Sequence, residues 1–241
     1  MSDRTAGLQD QNVGYNDEDS VAISEGIDNV YTATQTTIQN NIRDVIVQQV
    51  AANWYSEVAV DYFAEFKENT ARIADDIRTV FQNFRDQIQE DVVAWRNQTG
   101  GTGGDIPDVA EKEIEIDVSA IKPTDTNGNR FISNTLETDV LEWIATCRTN
   151  IITDISQAVA ENVVKSFIGE QQNEKVNAAM ESLSVHIDGI LNYLTMGDNS
   201  IVSSITKFRT EYTQTGSTNA TNTEGKDYAA GADVTGGADD S

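Results

Sequence analysis

Four long runs of apolar residues at helical spacing dominate this chain. The first two runs cover residues 20–53 and 57–96, and in both of them apolar residues recur three or four positions apart. This spacing places apolar side chains on one face of an α-helix. In the second run the steps alternate between three and four residues, which is typical of helices that interlock side by side. A helix over 57–96 would be about 60 Å long, and it needs a neighbouring helix to bury its apolar face.

A second pair of runs, at 134–166 and 171–212, repeats the arrangement of the first pair. Residues 196–200 (MGDNS) could interrupt the last run, because they include a glycine and three polar residues. However, Leu194 and Ile201 are seven positions apart, so the apolar face keeps its phase across them. A glycine inside a helix costs only about 1 kcal/mol. We therefore predict one continuous helix over 171–212.

Segments without helical periodicity divide the chain into five parts. We predict a disordered leader at 1–19, a first helical hairpin at 20–96, a Gly-rich connector at 97–133, a second helical hairpin at 134–212 and a disordered acidic tail at 213–241. The predicted fold class is all-α, with two tandem long helical hairpins forming an elongated four-helix bundle. Within the connector, residues 113–118 alternate between apolar and acidic, which predicts a strand. That strand would lie extended along the bundle or pair with the edge of another molecule.

The two hairpins align with each other at an offset of 113 residues. This offset places Phe167 on Trp54 and Gly169 on Ser56, so both predicted turns carry an aromatic residue followed two positions later by a small one. A small residue allows a sharp chain reversal, and the aromatic ring covers the open end of the hairpin. We interpret the hairpins as an internal duplication with Trp54, Ser56, Phe167 and Gly169 as its hairpin-turn motif. A simpler alternative is that Trp54 only fills one end of the bundle. Aliphatic positions also coincide: Ile38, Ile42, Ile46 and Val50 fall on Ile151, Ile155, Val159 and Val163.

The charge balance narrows the possible partners. The chain has 40 acidic and 16 basic residues, a net charge of −24, so nucleic acid and anionic membranes should repel it. High solubility or a salt-adapted host would explain this acidity. No run approaches the roughly 18 apolar residues of a membrane span, and the N-terminus has no apolar core of a secretory signal. We expect a soluble protein that is cytoplasmic or secreted by a leaderless route.

The residues that could carry chemistry are isolated from one another. Cys147 lies in an apolar helical run and is interpreted as a core residue. His186 has no neighbouring acid, base or metal ligand in its pattern. Residues 125–129 resemble a calcium loop in their oxygen side chains, but they lack its full spacing and its terminal glutamate, so we interpret them as a turn. We therefore expect no enzyme activity, no cofactor or metal, and no small-molecule substrate.

One family resemblance follows from the first turn. Trp54, Tyr55 and Ser56, followed by apolar residues such as Ala59 and Phe63, resemble the WXG superfamily, small helical-hairpin proteins exported by type VII secretion systems. The resemblance implies a helix, a Trp-x-Gly turn and a second helix, with hairpins that pair into four-helix bundles. This chain would correspond to two such hairpins in tandem.

The chain departs from the family pattern at both turns and in its export signal. Serine replaces the glycine of the first turn, and phenylalanine replaces the tryptophan of the second. The family's export signal, Tyr-x-x-x-Asp/Glu, follows the hairpin, whereas here its match is Tyr15 with Asp19, before the hairpin.

Two functions compete on these grounds. The first is a non-enzymatic protein that acts through protein partners, as a substrate or partner of type VII secretion. The second is a structural assembly protein, such as a virion or cell-surface component of a salt-adapted host, which would associate with itself. An intracellular adaptor is a third possibility.

Overall fold

The computed structural model describes residues 17–100, 104–164, 170–214 and 226–228. These segments are mostly helical, which confirms the all-α class. Most of the predicted leader, most of the predicted acidic tail, and Phe167 and Gly169 of the second turn lie outside the described residues. Within the described segments, no helix combines the length and the hydropathy needed to cross a membrane.

The first hairpin has a long helix on each side of its aromatic turn. Its elements are α1 (Asp17–Asn41), a π-helical segment (Ile42–Val47), α2 (Gln48–Asn53), β1 (Trp54–Tyr55) and α3 (Glu57–Thr99). α3 has 43 residues, a length of about 65 Å. It ends at Gly100, whose φ of 69° is the left-handed conformation in which a side chain would be strained.

The second hairpin follows the connector and is built from shorter helices. Its elements are β2 (Phe131–Ser133), α4 (Leu136–Val159), a second π-helical segment (Ala160–Val164), α5 (Glu170–Thr195) and α6 (Ile201–Gln214), followed by β3 (Lys226–Tyr228). Both hairpins therefore contain a π-helical segment, in which one extra residue is accommodated without ending the helix.

The predicted continuous helix over 171–212 is wrong, because the chain turns between α5 and α6. Gly197 adopts a φ of 85°, which a continuing right-handed helix does not allow. Ser200 then starts α6, since its Oγ accepts a hydrogen bond from the backbone N–H of Ser203 at 3.1 Å. Leu194 and Ile201 are both fully buried. The apolar faces of α5 and α6 therefore stay in phase although the helix is interrupted between them.

The two hairpins pack against each other, and each helix runs in the opposite direction to its neighbour in the other hairpin. α1 packs mainly on α4, and α3 packs mainly on α5. Asn29 of α1 donates to Asn162 at 3.4 Å, whereas Thr37, further along α1, donates at 2.6 Å to Asp154, which comes earlier in the chain than Asn162. Lys175 at the start of α5 pairs with Asp91 near the end of α3. Each helix is thus antiparallel to its main neighbour. The Trp54 turn closes one end of the bundle, and the residues that flank the second turn lie at the other.

The core is formed by the apolar faces predicted from the sequence. Positions related by the offset of 113 residues are buried to a similar degree before both turns, with exposures of 9 % or less. Each hairpin therefore supplies the cover for the other's apolar face, which is the arrangement expected of a four-helix bundle. The matching buried positions are Ile38, Ile42, Ile46 and Val50 in the first hairpin and Ile151, Ile155, Val159 and Val163 in the second.

The connector runs back along the first hairpin, because α3 and α4 begin at the same end of the bundle. We call residues 104–118 the strap. Residues 113–118 belong to no sheet, and of the two predicted arrangements they adopt the first, an extended segment along the bundle. Their alternation nevertheless has a structural basis. Ile114 and Ile116 are buried, whereas Glu113 and Glu115 are exposed. The strap lies extended between α1 and α3, and helix side chains take the place of a neighbouring strand.

A small antiparallel sheet covers the end of the bundle beside Trp54. β1 pairs with β2, and β2 pairs with β3. β3 (Lys226–Tyr228) falls within the tail that was predicted to be disordered, so that expectation does not hold for these three residues. Their backbone groups pair with those of β2, which a composition-based prediction does not detect.

Candidate functional site at the aromatic turn and the strap

Trp54 lies at the centre of the closed end of the bundle and is fully buried. The backbone leaves the helical conformation at this residue, with φ −151° and ψ 119°, and residues 54–55 pair with β2. The indole ring meets the Phe208 ring edge to face, with centroids 5.9 Å apart. Phe208 belongs to α6, so the second hairpin covers the turn of the first.

Ser56 caps the helix that leaves the turn. Its Oγ accepts a hydrogen bond from the backbone N–H of Ala59 at 3.0 Å, which satisfies one of the free donors at the start of α3. The side chain is fully buried. Ser56 therefore caps α3 with its hydroxyl group, in addition to leaving room for the chain reversal.

The indole N–H of Trp54 is a buried donor at the closed end of the bundle. Nε1 is buried and has no hydrogen-bond partner among the described residues. An unsatisfied buried donor costs about 1–3 kcal/mol, and the large apolar area of the ring has to outweigh that cost. The tryptophan at this position therefore stabilises the fold through the apolar area that its ring buries, and its N–H group contributes no hydrogen bond to the described residues.

Polar contacts hold the sheet and α6 over the turn. Arg209 donates to the backbone oxygen of Ser133 at 2.7 Å, and Arg130 pairs with Glu57 at 2.6 Å. Partial burial tends to raise the pKa of Glu57, but the hydrogen bond from Arg130, a backbone hydrogen bond and the charge of Arg130 together outweigh it, so this pKa lies below its ordinary value. The Glu57 carboxylate also lies at the N-terminus of α3, where negative charge is favoured.

The second pair of motif residues, Phe167 and Gly169, lies outside the described residues. The segments on either side of them lie at the end of the bundle opposite Trp54. There, Gly26 of α1 lies so close to the backbone oxygen of Asn162 that an added Cβ would be 2.8 Å from it. The described segments that flank Phe167 and Gly169 therefore lie apart from Trp54 and Ser56.

Cys147 and the turn at 125–129 have structural roles in the folded chain. Cys147 is fully buried, and burial raises the pKa of its thiol to about 12. Asp125 accepts hydrogen bonds from the backbone N–H groups of Asn127 and Asn129 at 2.7 and 2.8 Å, which makes residues 125–129 a self-contained turn. The described residues contain no group of three or more His, Cys, Asp or Glu side chains placed to hold a metal.

A second set of functional candidates, missed in the sequence, lies under the strap on α3. Gln89 Nε2 donates to Asp105 Oδ1 at 2.7 Å, while Gln89 Oε1 accepts from the backbone N–H of Ile106 at 2.7 Å. Arg85 donates to the backbone oxygens of Ile106 and Pro107. Gln89 and Arg85 of α3 thus bind one acidic side chain, that of Asp105, and the backbone of the two residues that follow it.

The same arrangement is repeated one heptad earlier on α3. Gln82 donates to Asp108 Oδ1 at 3.1 Å and accepts from the backbone N–H of Val109 at 2.9 Å. Arg78 donates to the backbone oxygen of Val109 at 3.3 Å. We call Arg78, Gln82, Arg85 and Gln89 the ladder. Its sequence signal is two Gln and two Arg residues, each seven positions apart, and a Gly-rich linker followed by two Asp-apolar pairs.

No protein-family model, no curated protein and no solved structure matches this chain. The resemblance to the WXG superfamily therefore rests on the sequence of the first turn and stays a prediction.

Proposed function

We propose that this chain is a non-enzymatic protein that acts through protein partners, as a substrate or partner of a type VII secretion system. The observation that supports the proposal is the pairing of the two hairpins. Each helix of the first hairpin packs mainly on a helix of the second, as in a bundle made from two hairpin proteins. The aromatic turn lies at the end of that bundle, with Trp54 in the core and Ser56 as the helix cap.

Export from the source cell tests this proposal. The protein should accumulate in the medium of cells with an intact type VII ATPase and should remain in cells that lack it. Tyr15→Ala should reduce export, because Tyr15 and Asp19 form the match to the family's export signal. Val21→Ala, an exposed position of α1 outside that signal, is the matched control. Complete retention of the unmodified protein in ATPase-containing cells would contradict the proposal.

A structural assembly role is the second candidate, and the length of the bundle favours it. α3 alone extends about 65 Å, and the sheet at the Trp54 end has short edge strands that a neighbouring molecule could extend. Sedimentation of the purified chain at low and high salt is the test. Salt screens repulsion between copies of such an acidic chain, so an assembly protein should associate as salt rises. A monomer at every salt concentration would argue against this role.

A further inference from the structure

The ladder on α3 recognises the same short pattern twice. We call Gln89 and Gln82 its two rungs. Each rung binds an aspartate side chain and the backbone N–H of the apolar residue that follows it. These pairs are Asp105 with Ile106, and Asp108 with Val109. Ile106 is fully buried and Val109 is 7 % exposed, so the apolar members of both pairs are anchored in the core. The pattern read by the ladder is Asp-apolar-x-Asp-apolar.

The spacing of the rungs fits an extended chain. Seven residues of α-helix rise about 10.5 Å, and three residues of extended chain cover about 10 Å. Rungs one heptad apart on α3 therefore meet strap residues that are three positions apart. The distance between the two rungs on α3 therefore equals the distance between the two strap segments that they bind. Such a match is expected of a surface that recognises a particular peptide pattern.

The strap is bound by side chains along most of its length. Beyond the ladder, Tyr31 donates to the backbone oxygen of Lys112 at 3.3 Å, and Gln39 accepts from the backbone N–H of Glu115 at 3.2 Å. Peptides that bind extended on a protein surface gain affinity from main-chain hydrogen bonds and specificity from alternate side-chain pockets. The strap has main-chain hydrogen bonds and buried alternate side chains. A separate peptide with the same sequence therefore has the same groups with which to bind this surface.

Charge complementarity favours an acidic occupant on this surface. Residues 105–118 include six acidic residues and one lysine. Three basic side chains of α3 pair with them along the strap. The pairs are Lys67 with Glu115 at 2.5 Å, Arg85 with Asp108 at 3.6 Å, and Arg96 with Asp105 at 3.3 Å.

A partly open pocket lies beside the strap where it crosses the ladder. It has a volume of about 150 Å³, lies between α1 and the strap beside Asp28 and Arg85, and is lined by residues 106–110. The polar contacts of the recognised pattern therefore lie next to an opening at the surface, while Ile106 and Val109 stay in the core.

We propose that the ladder is a binding site for extended segments with the pattern Asp-apolar-x-Asp-apolar, and that the strap of a second copy of this chain is its partner. Within one molecule the tethered strap occupies the ladder at an effective concentration on the order of millimolar. The strap of a second copy takes its place where copies are concentrated. This inference goes beyond the proposed secretion role and does not depend on it.

A labelled peptide of residues 104–118 tests the recognition by fluorescence polarisation on the full chain. Asp105→Asn with Asp108→Asn weakens the tethered strap at exposed carboxylates and leaves the ladder intact. We expect the peptide to bind this variant about tenfold more tightly than the unmodified chain, because its tethered competitor is weaker.

The matched controls change the peptide and leave the tethered strap as it is. A peptide with Asp105→Asn and Asp108→Asn should bind the weakened-strap variant about tenfold more weakly than the unmodified peptide, because it lacks the carboxylates that Gln89 and Gln82 contact. A peptide with Glu111→Gln, a change at an exposed strap position, should bind as the unmodified peptide does. Peptide binding that is absent from the weakened-strap variant, or equal for peptides with and without the two aspartates, would overturn the proposal.

Cross-linking tests the second copy without altering the ladder. One copy carries Lys67→Cys, at a partly buried position, and another carries Glu115→Cys, at the exposed position that pairs with it in the folded chain. Cys147 is buried and should not react. A short bis-maleimide should yield heterodimers whose fraction rises with protein concentration. Lys67→Cys mixed with Glu142→Cys, an exposed position on α4, is the control. A heterodimer yield no higher than that of the control pair rules out the second copy as partner.

Discussion

Replacing Gly26 with alanine tests the close approach of α1 to the second π-helical segment. An alanine Cβ at this position would lie 2.8 Å from the backbone oxygen of Asn162 and 3.7 Å from its carbonyl carbon. The oxygen belongs to the backbone, so it cannot rotate away as the end of a side chain can. Either α1 or the π-helical segment must move by several tenths of an ångström.

Two opposing contributions decide the free energy of unfolding of this variant. Forcing an extra methyl group into a packed contact costs about 1–3 kcal/mol. Alanine in place of glycine inside a helix contributes about 1 kcal/mol in the stabilising direction. We therefore expect Gly26→Ala to destabilise the protein by about 0–2 kcal/mol.

Gly189→Ala is the matched control, because Gly189 is exposed on α5 and an added Cβ would meet no atom within 4 Å. It should stabilise the protein by about 1 kcal/mol. The difference between the two variants, measured by urea unfolding followed by far-ultraviolet circular dichroism, isolates the steric cost at Gly26. If Gly26→Ala stabilises the protein as much as Gly189→Ala does, the contact with Asn162 is absent and the reasoning is refuted.

Three further predictions concern single positions. Trp54→Ala should destabilise the fold by about 3–5 kcal/mol because it removes a fully buried ring; an unchanged urea midpoint would contradict this. Ser56→Ala should cost about 1 kcal/mol, and Ser56→Gly only a few tenths, because glycine tolerates the cap position better than alanine; equal costs would exclude the capping role. Cys147 should react with a thiol reagent only as fast as the protein unfolds, because it is fully buried and its thiol pKa is raised to about 12; fast labelling of the native protein would contradict that burial.

Long-range helical periodicity was sufficient to predict the two helices of the first hairpin and the buried faces of both hairpins. It failed at Gly197, because seven residues between Leu194 and Ile201 preserve the apolar phase whether or not the helix is interrupted. The aspartate, asparagine and serine that follow Gly197 are the better signal, since the serine at position 200 caps the next helix. A local capping residue outweighed the periodic pattern.

The position of the strap depends on contacts that a pattern of apolar residues does not contain. The alternation at 113–118 indicated an extended segment with one buried face, but not what would bind its main chain. That role belongs to glutamine and arginine side chains of α1 and α3, whose polar character suggested an exposed helix face. The sheet was equally hidden, because strands of two or three residues are too short for a period of two to be recognised.

The order of the elements along the chain has a consequence during synthesis. α3 is complete at Thr99, but the helices that cover its apolar face end only at Gln214. At about 5–20 residues per second, a ribosome takes roughly 6–23 s to make the intervening residues. The strap emerges early in this interval and covers the groove between α1 and α3, but it leaves the face that meets the second hairpin open. The apolar face of the nascent first hairpin that meets the second hairpin therefore stays uncovered for several seconds after α3 is made.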